Sequence, residues 1–227
     1  LPKGPSALTN LLHVLMRFRS KPYLVISDLT KAYNSIKTSP LECHLRRLLW
    51  YRTSDFQEEN PKLRTFGMVC MAFGDTPAAY YLECSKEEIA NYIRTELKND
   101  KLADDVISCS YVDDFAIPLE SLEEAKKYGE DIPKAFEVLG FKIKHIYVGG
   151  QNVKPNKIPE SNQLFGHIYD MVTDTIQLKF TVNFSRKRRS QRVAPNLTSE
   201  SDLSKFRFTK RMMLSLMASQ FDPLGLV

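Results

Sequence analysis

Apolar residues recur at three- and four-residue intervals through Leu8, Leu11, Leu12, Leu15 and Phe18, which predicts an amphipathic helix started by Pro5-Ser6 and stopped at Lys21-Pro22. His13 falls inside it as a surface or edge position. The run Tyr23-Leu24-Val25-Ile26-Ser27 is apolar without alternation and too short for a helix, so it predicts a buried strand with Asp28 at its exit. Residues 40–51 predict a second helix with Leu41, Leu45, Leu48 and Leu49 on one side, Arg46 and Arg47 on the other, and Trp50 as a packing anchor. After a polar loop over 53–62, residues 64–71 predict a strand that leads into Phe73-Gly74-Asp75-Thr76-Pro77. There Thr76 can cap and Pro77 open a long helix reaching about Lys98. Two short strands, 106–110 and 115–119, predict a hairpin with Asp113-Asp114 at its tip, whereas Asp104-Asp105 reads as plain loop. Ser121-Leu122-Glu123-Glu124 is a capping box for a helix with Leu122, Ala125, Tyr128, Ile132, Phe136 and Leu139 inward, kinked at Pro133 and stopped by Gly140. Residues 141–148 alternate as a strand that Gly149-Gly150 breaks, and 163–169 with 175–180 suggest a hairpin around 170–174. Residues 186–201 are polar, and 209–218 form a last helix. The order predicts an α+β fold, a small, mostly antiparallel sheet backed by helices on one face.

Candidate chemistry centres on Tyr111-Val112-Asp113-Asp114. Two adjacent carboxylates repel and each is costly to desolvate, so a site holding both ionised recruits a cation, and hard oxygen ligands suit magnesium. The competing reading is an exposed turn, where Asp is common. In a sheet of this kind Asp28 would exit beside the hairpin tip, bringing three carboxylates together. Such a cluster can hold two magnesium ions, one lowering the pKa of an attacking hydroxyl and one stabilising a leaving pyrophosphate. The strand-to-helix junction at Gly74 would allow close backbone approach with outward N–H groups, although many such junctions are merely turns.

At 227 residues, 43% hydrophobic and 26% charged, the chain can bury a real core, and its composition names no function. The net charge of +5 is unevenly spread. Between Lys179 and Arg211 ten basic residues face two acidic ones, a local +8 that leaves the rest at −3. A polyanion-binding segment or a solvated loop would both look like this. Cys43, Cys70, Cys84 and Cys109 lie far apart without paired spacing, as expected of reduced thiols in an intracellular protein. No long apolar run suggests a membrane segment. Leu1 is not a start methionine, so the sequence reads as a piece of a longer chain.

Asp28 with Tyr33 five positions on, Phe73-Gly74 before a helix, Tyr111-Val112-Asp113-Asp114, Gly140-Phe141 and Leu164-Phe165-Gly166 together resemble, in order and spacing, the motifs of retroelement reverse transcriptases. The match is closest to BEL/Pao long-terminal-repeat retrotransposons, which the chain also resembles at Leu1-Pro2-Lys3-Gly4-Pro5, Arg17-Phe18-Arg19 and Phe221-Asp222-Pro223-Leu224-Gly225. The resemblance implies a polymerase palm with part of the fingers over residues 1–148. It also implies a hairpin region resembling the primer grip over 149–185, and a basic linker and C-terminal helix leading to a thumb or connection over 186–227. It implies an RNA-directed DNA polymerase that uses two magnesium ions, or manganese, with Asp28, Asp113 and Asp114 as catalytic acids and the Leu29 carbonyl as a further ligand. Tyr33 would be the gate against a ribose 2′-hydroxyl, and Phe73 and Gly74 would support template and incoming nucleotide. Tyr111 and Val112 would lie near the primer end, Leu164, Phe165, Gly166 and His167 would form the primer grip, and Arg186, Lys187, Arg188 and Arg189 would meet nucleic acid. The family lysine after Gly-Phe falls at Lys144 or His145, depending on register. Implied partners are an RNA template, a DNA or tRNA primer, dNTPs, and the protease, RNase H and integrase of a Pol polyprotein in cytoplasmic particles, with no membrane. The chain departs from the family at Asp75, where small residues usually follow Phe-Gly, and at Pro77, two positions before the usual proline. An acid near a triphosphate repels it, so a decayed or domesticated relative that binds nucleic acid without catalysis stays open as the alternative.

Overall fold

The computed structural model describes residues 4–150, 163–170, 173–177 and 209–219. It divides into two compact units, 1–158 and 159–227. The first is α+β. Its sheet is antiparallel throughout, with β1 (Tyr23–Thr30) paired to β5 (Asp114–Leu119) on one side and β6 (Lys142–Gly150) on the other, and β4 (Ser110–Tyr111) outside β5, so the order is β4-β5-β1-β6. A strand with neighbours on both edges, and helices over the sheet, leaves little solvent-facing surface. Leu24, Val25, Ile26, Ser27 and Leu29 are accordingly all buried, which explains the unalternating apolar run. Pro118 is tolerated in β5 because β4 (Ser110–Tyr111) reaches only Asp114 and Phe115, so the missing N–H lies where no ladder bond is needed.

Three helices supply the core. In α4 (Ala78–Thr95) Leu82, Ile89, Ala90 and Ile93 are buried, and in α5 (Asp100–Ser108) Leu102, Ala103 and Val106 are. In α6 (Leu122–Val138) Ala125, Tyr128, Ile132, Ala135 and Phe136 face inward. Phe136 meets Phe115 edge-on at 5.2 Å, and each such buried side chain contributes about 2 kcal/mol. The Ser121 hydroxyl accepts from Glu124 N–H at the start of α6, as its sequence predicts. The helix runs on through Pro133, and Leu139 is exposed rather than inward, because the helix has ended before it.

Several expectations are corrected by local hydrogen bonding. The first helix, α1 (Leu11–Arg17), starts at Asn10, whose side chain accepts from the N–H groups of Leu12 and His13, so Pro5-Ser6 lies outside it. Residues 40–51 are not one helix. A capping box between Ser39 and Glu42 nucleates only α3 (Pro40–Cys43), after which β2 (Arg47–Trp50) pairs with β3 (Arg64–Gly67). Trp50 is 60% exposed and anchors nothing, because all four residues of β2 face outward. The polar stretch after it forms a short 3₁₀ turn (Thr53–Gln57), where Asp55 accepts from Arg64 Nε at 2.9 Å. Residues 106–110 are mostly helix, not strand. The Asn99 side chain accepts from Leu102 N–H and opens α5, which carries Asp104 and Asp105 away from loop. Asp104 pairs with Arg94 at 2.6 Å and Asp105 accepts from the Tyr128 hydroxyl at 3.2 Å.

Gly149-Gly150 does not break β6, since both glycines pair with β1 opposite Leu24 and Tyr23. A Cβ on Gly150 would lie 2.5 Å from the Pro22 carbonyl oxygen, and its φ of +150° is one that side chains rarely adopt. Gly150→Ala is therefore expected to cost about 2 kcal/mol, read as a lower denaturant midpoint at unchanged slope.

In the second unit β7 (Gln163–Leu164), β8 (His167–Asp170) and β9 (Thr175–Gln177) form an antiparallel sheet; β8 and β9 make a hairpin where one was expected, but 163–169 is two strands with a turn at Phe165-Gly166 rather than one, and 178–180 lie outside the described residues. A helix over Lys210–Ser219 follows, its start capped by the Thr209 hydroxyl accepting from Met212 N–H. The basic segment around Arg186, Lys187, Arg188 and Arg189, and the motif at 221–225, lie outside the described residues, as do Leu1, Pro2 and Lys3. Among the described residues no helix is long and apolar enough to cross a membrane. The four cysteines are free thiols; burial pushes the Cys109 thiol above its ordinary pKa, which disfavours the thiolate.

Candidate active site at the acid hairpin

The hairpin β4–β5 closes through a two-residue turn, Val112-Asp113. Val112 has φ +54°, a conformation that costs a β-branched residue about 1–2 kcal/mol, so surrounding contacts must hold it. Part of that hold is its packing against the main hydrophobic core. The tip docks on the exit of β1: Asp114 is the cross-strand partner of Asp28, and Leu29 N–H donates to the Asp113 carbonyl at 3.1 Å. Immediately after Asp28 the β1–β6 register slips, so one side of the exit is freed from regular pairing. Backbone pairing thus brings Asp28, Leu29, Asp113 and Asp114 to one edge of the sheet.

At this edge burial and a neighbouring like charge act together on Asp113. Burial pushes the Asp113 carboxyl above the usual range and the Asp28 charge adds to it, while its own backbone N–H, Lys86 and Lys144 pull the other way. Asp28 Oδ2 lies 3.5 Å from Lys144 Nζ. Among the described residues no three His, Cys, Asp or Glu side chains are drawn together as a metal-holding group. The expected three-carboxylate cluster is therefore present in the backbone register but not as a closed ligand set, because like charges repel and Asp28 takes Lys144 as its partner.

Tyr33 sits on α2 (Ala32–Ser35), a single turn that β1 enters through Lys31 at φ +50°. Burial raises its phenol pKa, with the Asp113 charge next and Glu83 and Tyr111 after it, so the ring lies in the field of the acid edge. It meets Phe73 edge-on at 5.2 Å. That contact arises because residues 36–38 run beside 69–71, with Met71 N–H donating to Ile36 O and Thr38 N–H to Val69 O. Phe73 is 75% exposed, leaving one face of this aromatic pair open to solvent. Gly74 has φ +92°, a conformation that favours glycine, and a Cβ there would meet no protein atom within 4 Å. Thr76 does not cap α4; Pro77 occupies the cap position without a side-chain bond.

Asp75 is not a loose negative charge. Its Oδ2 accepts from Ala72 N–H at 3.0 Å and lies 3.1 Å from Nε of Arg46, whose side chain is 7% exposed. The contact is an ion pair without an aligned hydrogen bond, as Nε and Nη1 of Arg46 are buried with none. Arg46→Ala is expected to cost about 2 kcal/mol by leaving Asp75 uncompensated, and Arg46→Ala with Asp75→Ser to recover part of it, measured by chemical denaturation.

Leu164, Phe165, Gly166 and His167 form a tight turn in the second unit, with Phe165 at φ +51° and Gly166 at φ +81°. Leu164, Phe165 and His167 are buried, and His167 Nδ1 lies 3.1 Å from the Phe165 carbonyl.

Sequence reading missed Glu83 and Lys86. They fall on the buried face of α4 with Leu82, Ile89, Ala90 and Ile93. Lys86 is 1% exposed, pairs with Glu83 at 2.7 Å and donates to the Ser110 hydroxyl at 3.0 Å. The signal that could have found them is a Glu–Lys pair at i, i+3 on the inward side of a helical repeat. No protein-family model matches the chain, and neither does any curated protein.

Proposed function

We propose that the chain is the palm, with part of the fingers, of an RNA-directed DNA polymerase of the BEL/Pao retrotransposon type, catalysing template-directed nucleotidyl transfer. The observation that carries this reading is the docking of the acid hairpin on β1, with Asp28 opposite Asp114 and the Leu29 N–H on the Asp113 carbonyl. Three carboxylates and a carbonyl at one sheet edge are the hard-oxygen donor set that magnesium or manganese takes, and the upward push on the Asp113 carboxyl marks a place that gains from a cation. Bound there, such ions would lower the pKa of a primer hydroxyl and neutralise charge on the triphosphate. Asp28, Asp113 and Asp114 would hold them. Tyr33, in the field of Asp113 and backed by Phe73, would lie under the sugar of the incoming nucleotide, and Phe73 with Gly74 would support the template pair. The hairpin residues Tyr111 and Val112 would face the primer end, and the turn over Leu164, Phe165, Gly166 and His167, of which Gly166 is the exposed residue, would meet the primer strand through its backbone. RNA template, DNA or tRNA primer and dNTPs are the proposed partners.

A binding-only reading draws its support from Asp75 and Pro77; the Arg46 pair weakens the first of these, because a compensated charge repels a triphosphate weakly, and leaves the second as it was. The test is extension of a primer on an RNA template with magnesium or manganese. Template-matched incorporation supports the proposal, and a folded protein that binds primed template but adds no nucleotide with either ion rejects it.

Neutralising Arg186, Lys187, Arg188, Arg189 and Arg192 together is expected to weaken binding to any duplex alike and to flatten its salt dependence by up to roughly four logarithmic units of slope. Titrations at several salt concentrations measure it, and an unchanged slope would mean that the segment touches no phosphate.

A further inference from the structure

The proposed chemistry makes no use of Glu83 and Lys86, yet burying two charges is expensive. A buried ion pair is commonly no more stable than apolar side chains of the same volume, so stability alone does not account for one at this place. What apolar side chains cannot supply is direction. Lys86 Nζ donates to the Ser110 hydroxyl at 3.0 Å, and that hydroxyl donates onward to the Ile107 carbonyl at 3.2 Å. The same ammonium stands 5.9 Å from the ring centroid of Phe115, which is the cross-strand partner of Ser110. One buried cation therefore engages both strands of the acid hairpin, one strand by a hydrogen bond and the other by a ring face.

The hairpin needs such an anchor. Its first strand is only Ser110–Tyr111 and its turn holds Val112 at φ +54°. On the far side Leu29 N–H grips the Asp113 carbonyl. Lys86 grips the near side, and Glu83 at 2.7 Å keeps the ammonium from leaving its buried position uncompensated.

We infer that Lys86 is a positioning residue that tethers the acid hairpin to α4 and so sets where Asp113 stands against Asp28, with Glu83 as its counter-ion. Its kinetic consequence rests on the polymerase reading; its structural consequence does not. The test compares the full chain with Glu83→Leu/Lys86→Met, which keeps the volume apolar and removes both arms of the tether, and with Ser110→Ala, which keeps the ion pair and the Phe115 contact and cuts the hydrogen-bond arm. Hydrogen exchange is followed at the backbone amides of Val112, Asp113 and Asp114, together with primer-extension kcat and the KM for dNTP. The double variant is expected to unfold at a midpoint close to the parent's and Ser110→Ala at a somewhat lower one, and both to exchange about tenfold faster at the three tip amides only and to lose about tenfold in kcat at little-changed KM. Tip exchange like the parent's in the two variants would overturn the tether, and faster exchange with unchanged kcat would overturn its role in positioning. A parent that exchanges as described but extends no primer would instead count against the polymerase reading alone. If the double variant does not fold, Ser110→Ala still decides.

Discussion

Asp113→Asn is expected to lower metal-dependent primer extension by about a thousandfold while leaving the fold intact, and Asp28→Asn to do the same. The side chain keeps its shape, so the turn and the Leu29–Asp113 backbone bond persist, and only the charge of the proposed ligand is lost. Stability should hold or rise. Burial and the Asp28 charge raise the Asp113 pKa in the folded protein above its unfolded value, so the folded state binds the extra proton. Stability from this group is therefore greatest at acid pH and falls as pH rises from the unfolded carboxylate value through the raised one. Asp113→Asn lacks that fall. Melting curves taken on either side of this window check the sign, and extension by the variant at the parental rate would end the assignment of Asp113 as a metal ligand.

On the proposed reading, Tyr33→Val is expected to raise ribonucleotide incorporation relative to deoxyribonucleotide by roughly tenfold or more, because the ring proposed to exclude the 2′-hydroxyl has been removed. Tyr33→Phe should keep the discrimination, since the clash belongs to the ring and not to the hydroxyl. The edge-on contact with Phe73 gives the ring a second, structural role, and truncation leaves space beside Phe73 that costs about 2 kcal/mol or less at this half-buried position. The two roles separate in the readout. Loss of packing alone lowers both incorporation rates together, while loss of a gate changes their ratio. Matched ribo- and deoxyribonucleotide incorporation by the two variants is the measurement, and an unaltered ratio in Tyr33→Val would remove the gate.

Where a segment's structure depends on its own side chains, the chain could be read directly. Tyr23-Leu24-Val25-Ile26-Ser27 is apolar because both faces of β1 are covered; the strand runs two residues past the expected end, and it is its pairing to β5 that stops at Asp28, opposite Asp114. The cap at Ser121 and the stop at Gly140 with φ +82° are equally local, whereas the hairpin turn falls at Val112-Asp113, one residue before the expected Asp113-Asp114, because core contacts hold Val112 at positive φ. The α+β class follows from the order of these elements. The misread segments share a different cause. Leu48, Leu49 and Trp50 have helical spacing, but their backbone groups are taken by Arg64–Gly67, a partner more than a dozen residues away that no local pattern announces. Val106 and Ile107 look like strand and are drawn into α5 because a cap at Asn99 and the core contacts of Leu102 and Ala103 outweigh β-branching.

Of the candidate site, the sequence by itself determined the acids and their order along the chain, because two adjacent carboxylates between apolar runs are visible at any level of folding. Only the tertiary structure decided which of them face each other, through a register that sets Asp28 against Asp114 and a bond from Leu29 to Asp113. It decided too that Asp75 is paired by Arg46 and that Lys86 is buried beneath Ser110 and Phe115. A charge is neutralised or stranded by what lies within a few ångströms of it, and those neighbours are supplied by chain segments that sequence order keeps far apart.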